Sequence, residues 1–305
     1  MKSFENKVAA ITGASSGMGR SLAVLLAKRG CHVAISDVSE AQLAETAKLA
    51  GNYGVKVTSK RVDVANRAEV YAWADEVVRD HGKCNLIFNN AGVAYGSSVE
   101  GNEYPDMEWL IGINFWGVVY GTKAFLPHLR ASGEGHVVNT SSLFGLLGFP
   151  GQSTYNASKF AVRGFTEALR IELDLMKAPV SASSVHPGGI KTNIARAARM
   201  NKSVLDLGVK DLENSHRQIE EQFRVTADRA AEIILRGVQR NDRRILVGTD
   251  ARIYDLVQRM LPSAYQWVVI QAARFAMNRA PDAGSVTAPA KPAARAPTPS
   301  PEARQ

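Results

Sequence analysis

Tyr155 and Lys159 stand four residues apart in the run Tyr155-Asn156-Ala157-Ser158-Lys159. On a helix that spacing puts both side chains on one face. A free tyrosine ionises at about pH 10, and a fixed ammonium one turn away stabilises the phenolate and lowers that value. Tyr155 is therefore a candidate general acid/base near neutral pH. A Tyr-x-x-x-Lys pattern alone is common on helices; its surroundings give it meaning. Ser142 lies thirteen residues earlier and follows the β-rich run His136–Thr140. A hydroxyl there can hydrogen-bond a substrate oxygen and steady its developing charge.

A second group of residues has the chemistry of a phosphate cradle. Thr12-Gly13-Ala14-Ser15-Ser16-Gly17-Met18-Gly19 follows the apolar run Val8–Thr12 and precedes a helical pattern from Met18 to Lys28. Glycines let the backbone turn tightly and approach a pyrophosphate at the helix N-terminus. The spacing is G-x-x-x-G-x-G, not the G-x-G-x-x-G of the usual dinucleotide fingerprint. Asp37 lies eighteen residues past Gly19, at the end of a second apolar run, near the ~20 expected of a ribose-reading acid. A carboxylate there accepts hydrogen bonds from ribose hydroxyls and repels a 2′-phosphate. Val38 and Ser39 follow it rather than a basic residue, which favours NAD over NADP. The alternative is a helix-capping role before Glu40.

These residues must be positioned by the elements around them. Strand-like runs occur at Val8–Thr12, His32–Ser36, Lys56–Arg61, Leu86–Asn89, His136–Thr140, Ser181–Val185 and, late in the chain, Ile245–Val247. They alternate with helical patterns such as Ser39–Ala50, Ala65–Asp80, Trp109–Phe125 and Asn156–Met176. Val, Ile and Ala without polar alternation suit strands covered on both faces. The expectation is one α/β domain over residues 1–250: a doubly wound, Rossmann-like parallel sheet of about seven strands, helices on both faces, and a ligand crevice at the strands' carboxyl ends. Residues 191–225 are polar, helical in pattern and poor in strand formers, and read as an excursion from the sheet beside the substrate.

Composition narrows the function classes. The 305 residues carry a net charge of +8, but no run of five like charges occurs, and a nucleic-acid role is not expected. Cys31 and Cys84 are far apart, as are His81, His128, His136 and His186, so neither a disulfide framework nor a metal site is expected. No signal-peptide core precedes the first apolar run, and a reducing, cytoplasmic compartment fits. Residues 281–305 contain six Pro and seven Ala and are expected to be disordered. Residues 251–280 form an apolar, helical extension, densest over 253–277. Its longest uncharged stretch, Met260–Ala273, is shorter than the ~20 residues of a membrane span. Oligomer packing, a lid over a lipophilic substrate, and peripheral membrane contact beside Arg259, Arg274 and Arg279 are the three readings of it.

Taken together, the Gly turn at 12–19, Asp63-Val64 after the third strand, Asn89-Asn90-Ala91-Gly92, Asn114, Ser142, Tyr155-x-x-x-Lys159, and Pro187-Gly188 with Thr192 resemble the classical short-chain dehydrogenase/reductase family. The resemblance runs from about Lys7 to Thr192 and more faintly to Gly248. It implies that Tyr155 exchanges a proton with a substrate hydroxyl or carbonyl while Ser142 orients that oxygen. It implies that Lys159 lowers the tyrosine pKa and holds the nicotinamide ribose, and that Asn114 holds a water joining Lys159 to solvent. Cofactor contacts would come from Gly13, Ser15, Ser16, Gly17, Met18, Gly19 and Asp37. Asp63 and Val64 would touch adenine. Asn90, Ala91 and Gly92 would line the cofactor, as would Pro187 and Gly188, and Ile190 and Thr192 would fix the carboxamide. The hydride chemistry would belong to NAD. A homodimer or homotetramer packed through the helices of Asn114 and Tyr155 is also implied.

The expected substrate wall comprises Val93, Ala94 and Tyr95, Leu143 and Phe144, His186 to Gly189, and the excursion after Thr192. Its apolar character suits a medium-sized, lipophilic secondary alcohol or ketone. An NADPH-dependent carbonyl reductase of the same family and a nucleotide-binding regulator without turnover are the rival readings. Retention of all four of Asn114, Ser142, Tyr155 and Lys159 argues against the second.

Overall fold

The computed structural model describes residues 1–208 and 223–279. Seven parallel strands form the central sheet: β1 (Val8–Thr12), β2 (His32–Asp37), β3 (Val57–Arg61), β4 (Leu86–Asn89), β6 (Gly135–Thr140), β7 (Val180–Pro187) and β11 (Arg244–Val247). Their order is β11-β7-β6-β4-β1-β2-β3. The chain thus runs outward from β1 to one edge, then returns past β1 to build the other half. All seven strands lie where strand-like runs occur in the sequence, with ends shifted by two residues or fewer. Those ends are where propensity is weakest and tertiary pairing decides.

The strands are apolar throughout because both faces are covered. Every residue of β1 and of β4 is buried. On one face Ile11, Leu26, Phe88 and Val185 pack with Ile234 and Leu235. On the other, Ala10, Ile87 and Val137 pack with Trp73, Phe125 and Leu173. Helices α1 (Gly17–Lys28), α2 (Glu40–Gly51) and α7 (Ala227–Arg240) cover the first face, and α3 (Arg67–His81), α5 (Gly117–Ala131) and α6 (Ser153–Leu175) the second. Helix α3 has clear stops: Asn66 accepts the Ala68 and Glu69 N–H groups at its start, and Gly82 ends it at φ 77°.

Three elements differ from the sequence expectation. The run Trp109–Phe125 is not one α-helix: α4 (Tyr104–Ile111) and α5 are joined by a π-helical turn, Gly112–Trp116, with Asn114 at its centre. Helix α6 starts at Ser153, not Asn156, so Tyr155 sits inside its first turn. The described part of the 191–225 excursion is not α-helical. It holds the short strands β8 (Ile190–Lys191), β9 (Arg199–Met200) and β10 (Val225–Thr226), and a 3₁₀-helix, Lys202–Leu207. Its strands pair at once, β8 with β10 and β9 with β5 (Tyr95–Gly96), and that pairing overrides the weak helical pattern. Residues 209–222 and the Pro/Ala-rich segment 281–305 lie outside the described residues.

The C-terminal apolar segment forms two helices, α8 (Thr249–Met260) and α9 (Tyr265–Arg279), with Pro262 in the break between them. No helix among the described residues is long and apolar enough to cross a membrane.

Candidate active site

The glycine turn joins β1 to α1 in left-handed backbone, with φ of +67° at Gly13 and +51° at Gly17. A Cβ on Gly13 would lie 2.7 Å from the Ala91 Cα, and one on Gly19 would lie 2.0 Å from the Gly13 carbonyl oxygen. Only glycine permits these approaches. Ser16, the N-cap of α1, makes no side-chain cap bond, so first-turn N–H groups of α1 face outward as anion donors. Thr12 Oγ1 accepts the Asn90 and Ala91 N–H groups at 3.0 and 3.1 Å, and the Asn90 amide donates to the Thr12 and Gly13 carbonyls. The two carboxyl-end turns of β1 and β4 are therefore one rigid unit.

A cavity of about 300 Å³ opens over this unit. It is bounded by Gly13, Ser15, Ser16, Gly17 and Met18 on the α1 side, and by Asp37, Asp63 and Val64 at the ends of β2 and β3. Asn90, Ala91 and Gly92 form its floor, and Thr192 and Ile194 its far wall. Asp37 is held by two backbone donors, Ser15 N–H to Oδ2 and Ser39 N–H to Oδ1, both at 3.1 Å. Free helix-N-terminal N–H groups, a fixed carboxylate and apolar Val62 and Val64 together match a dinucleotide: phosphate, ribose and base in sequence. Gly19, Pro187, Gly188 and Ile190 do not line this cavity. Gly19 is buried beneath the turn and Ile190 is buried in β8, so both support the site from behind. Gly188 lies against Asp250, whose Oδ2 accepts the Gly189 N–H at 2.6 Å.

Ser142, Tyr155 and Lys159 come together behind Gly92, beside the cavity; neither they nor Asn114 line it. Ser142 caps the 3₁₀ turn Leu143–Gly145, its Oγ accepting the Phe144 N–H at 3.1 Å. The Lys159 Nζ donates to the Thr140 carbonyl at 3.1 Å and lies 5.5 Å from the Tyr155 ring centroid. Gly92, on the cavity floor, faces both Lys159 Nζ and Asn114 Oδ1. Asn114 Oδ1 accepts the Val93 N–H at 2.8 Å and its amide donates to the Val93 carbonyl at 2.9 Å. The π turn is the device that swings Asn114 into this position.

The electrostatics correct one sequence expectation. Lys159 does not dominate the Tyr155 environment. Burial pushes the phenol up to about 12, with Ser142 drawing it the other way, while burial pulls the Lys159 ammonium down to about 8. At neutral pH Tyr155 is therefore a phenol beside a cationic Lys159.

Two side chains act here in ways that the sequence did not indicate. His186 was expected in the substrate wall; it is fully buried under Ser142 instead. Its Nδ1–H donates to the Ser142 carbonyl at 2.9 Å and its Nε2 accepts from Ser184 Oγ at 3.0 Å, which fixes the neutral tautomer. Burial pulls its pKa down to about 4. Asn156 donates to the carbonyls of Phe144 and Leu147 at 2.7 and 2.9 Å and accepts the Phe149 N–H. It ties the loop after Ser142 to the helix that carries Tyr155. Its position inside the Tyr-x-x-x-Lys run was the available signal. Among the described residues, no cluster of His, Cys, Asp and Glu could hold a metal ion.

A chain of aromatic rings starts at Tyr155. Phe144 meets it edge-on at 5.7 Å, Phe149 meets Phe144 at 4.7 Å, and Tyr254 of α8 meets Phe149 at 5.9 Å. The Tyr265 hydroxyl of α9 accepts the Gly148 N–H at 3.1 Å. The C-terminal helices thus touch the active-site loop directly. Tyr95 is buried rather than wall-forming, whereas Val93 and Ala94 line the cavity.

The chain is similar to known proteins. A family model described as short chain dehydrogenase matches residues 7–203. A putative oxidoreductase, SadH, of Mycobacterium tuberculosis is 48% identical over 270 residues, covering 88% of this chain and 96% of that protein. A C alpha-dehydrogenase of Sphingobium sp. is 34% identical over 247 residues, 79% of this chain and 80% of its own length. Among solved structures, a short chain dehydrogenase/reductase from Burkholderia phymatum in complex with NAD is 31% identical with a TM-score of 0.78, covering 89% of this chain and 97% of that one. The seven-stranded sheet, the glycine turn and these similarities agree, and the chain belongs to the short-chain dehydrogenase/reductase family of oxidoreductases.

Proposed function

We propose that this chain interconverts a medium-sized, lipophilic secondary alcohol and its ketone with NAD(H). The observation that carries the reading is the convergence of Ser142, Tyr155 and Lys159 behind Gly92, which lines a cavity that also holds the fixed Asp37 carboxylate. Residues 1–250 form the cofactor-binding and catalytic unit, and 251–280 its helical extension. When bound, the nicotinamide supplies the hydride donor or acceptor.

The chain's own residues do the rest. Ser142 donates to the substrate oxygen. Tyr155, a phenol at neutral pH, gives its proton to a carbonyl oxygen during reduction; in oxidation it first passes that proton out along the Lys159 side and then, as the phenolate, takes one from the hydroxyl. Lys159, cationic below about 8, stabilises the phenolate that forms and holds ribose hydroxyls. Asn114 anchors the water that passes a proton towards Lys159. The α1 turn, from Gly13 through Gly19, holds the pyrophosphate; Asp37 accepts from the adenosine ribose; Asp63 and Val64 flank adenine. Asn90, Ala91 and Gly92 form the floor and Thr192 the carboxamide side, with Pro187, Gly188 and Ile190 supporting it from outside the cavity.

NADP is the weaker alternative because a 2′-phosphate would meet the Asp37 carboxylate. Exposed Trp116, Phe160, Ile171 and Leu175 on α6 and the turn before α5 offer an apolar face for a homodimer or homotetramer. Cys31 and Cys84 are both buried as free thiols, consistent with a cytoplasmic protein. The test is a panel of secondary alcohols and ketones with both cofactors. The reading requires turnover of lipophilic members with NAD(H), and Asp37→Ala should relax the cofactor preference. A preference for small polyols or sugars would remove the substrate class, and a preference for NADP(H) the cofactor.

A further inference from the structure

Helix α8 is built inside out. Its buried residues are Ala251 and the carboxylate Asp255. Its solvent face carries Ile253, Leu256 and Met260, exposed by 54, 61 and 72%. Asp255 is fixed inward by Arg244 at 2.7 Å and Arg259 at 3.0 Å. Helix α9 continues the pattern: Tyr265 points in to Gly148, while Trp267 is 65% exposed and Val268 and Ile270 stand out beside it. Leu261, in the break between the helices, is exposed as well. Lone exposed apolar residues need no explanation, but a contiguous set on two consecutive helices does.

Charge selects what covers this face. Between residues 251 and 274 the only acid is Asp255, and it is turned inward. The outward charges, Arg252, Arg259 and Arg274, are all cationic. A two-fold contact with a second copy would set this face, whose outward charges are all cationic, against an identical cationic face. Apolar residues beside Trp and Arg suit a different partner: apolar side chains and the indole settle at the acyl boundary while the arginines extend to phosphates. With no spanning helix among the described residues, the helices would lie in the interface. We infer that the outward face of α8 and α9 docks on an anionic phospholipid bilayer. The inference concerns this surface alone and stands apart from the choice of substrate.

The experiment is co-sedimentation of the full chain with vesicles of phosphatidylcholine, with and without phosphatidylglycerol. Partition onto the anionic vesicles is expected, weakening as salt rises. Leu256→Asp and Trp267→Glu, separately, should each lower it about tenfold or more. Arg252→Gln and Arg274→Gln should each lower it about fivefold on anionic vesicles only. Neither Leu256 nor Trp267 touches the catalytic group, so turnover of a water-soluble alcohol should be unchanged in those variants and reports that they are folded. If Leu256→Asp fails to fold, Trp267→Glu decides alone. Absence of pelleting with either vesicle overturns the inference, as does equal partition onto both. Unchanged pelleting of the Leu256 and Trp267 variants overturns it too, because binding would then run through other basic surface. A wild-type oligomer dissociated by these substitutions, without vesicle binding, assigns the face to a second copy instead.

Discussion

Helices α7 and α8 flank the same edge strand, β11, and are built to opposite plans. Helix α7 buries Ala230, Ala231, Ile234, Leu235 and Val238 and turns Asp228, Arg229, Arg236 and Arg240 to solvent. Helix α8 buries a carboxylate and exposes its aliphatic residues. The first belongs to the sheet, whose core fixes the cofactor cavity and the catalytic group. The second packs on the loop after Ser142 through Tyr254 and Phe149; few of its side chains reach inward, and its outer face serves something other than this domain's core. A rigid chemical floor and a lightly attached wall are therefore joined at the loop between Ser142 and Ser153.

The sharpest way to break that division is at the floor. Tyr155→Phe removes the proton donor without changing the ring's packing on Phe144. Turnover should fall about 10²–10⁴-fold, with cofactor binding kept, as read by steady-state kinetics beside a fluorescence titration. A variant that keeps most of its activity would remove Tyr155 from the chemistry.

Paired truncations come next. Leu235→Ala opens a cavity in the sheet-facing core and should cost about 2–5 kcal/mol in a denaturant melt. Leu256→Ala, on the outward face of α8, should change stability by less than about 0.5 kcal/mol. Equal losses would mean that α8 is core after all.

Acid should separate the regions as well. His136 and His186 are buried in the sheet, with pKa values pulled down to about 3 and about 4 chiefly by desolvation. A histidine whose folded pKa is depressed stabilises the fold above its unfolded value of about 6.5 and loses that contribution as pH falls towards the folded value. The floor should therefore weaken by about 1.4 kcal/mol per histidine per pH unit below about 6.5. A flat stability profile from pH 7 to pH 5.5 would show that these rings are already solvated.

Most of the floor was legible in the sequence and little of the wall was. The strands are unbroken apolar runs because both their faces are covered, and Gly13, Gly17 and Asp37 carry their geometry in their residue types. Asn114 was identifiable, but the π turn that aims it was not, since a one-residue insertion in helical hydrogen bonding leaves no periodicity signal over so short a run. The partners of His186 and Asn156 were illegible for another reason. Each side chain acts by bonding backbone groups brought near only by folding, which spacing along the chain does not encode. The 191–208 segment was misread because a polar stretch with weak helical preference yields to strand pairing supplied by Tyr95–Gly96. In α8 and α9 the apolar pattern was plain, yet which face turned inward depended on Asp255 finding Arg244.

A modest predicted effect on activity tests the joint between floor and wall. Tyr265 contributes one hydrogen bond to the active-site loop, from the Gly148 N–H to its hydroxyl at 3.1 Å. Tyr265→Phe keeps the ring and deletes the acceptor, a change worth about 0.5–1.5 kcal/mol. Gly148 lies between Leu147, held by Asn156, and Phe149, whose ring bridges Phe144 to Tyr254. Freed at that point, the loop still carries Ser142 correctly, because His186 and the Phe144 N–H hold it independently. The loss should therefore appear in substrate binding rather than in the chemical step. KM for a bulky lipophilic alcohol should rise about two- to tenfold, with kcat nearly unchanged and KM for a small alcohol little affected. A matching fall in kcat for both substrates would mean that the C-terminal helices position the catalytic group itself, and the boundary between floor and wall would have to be redrawn through Gly148.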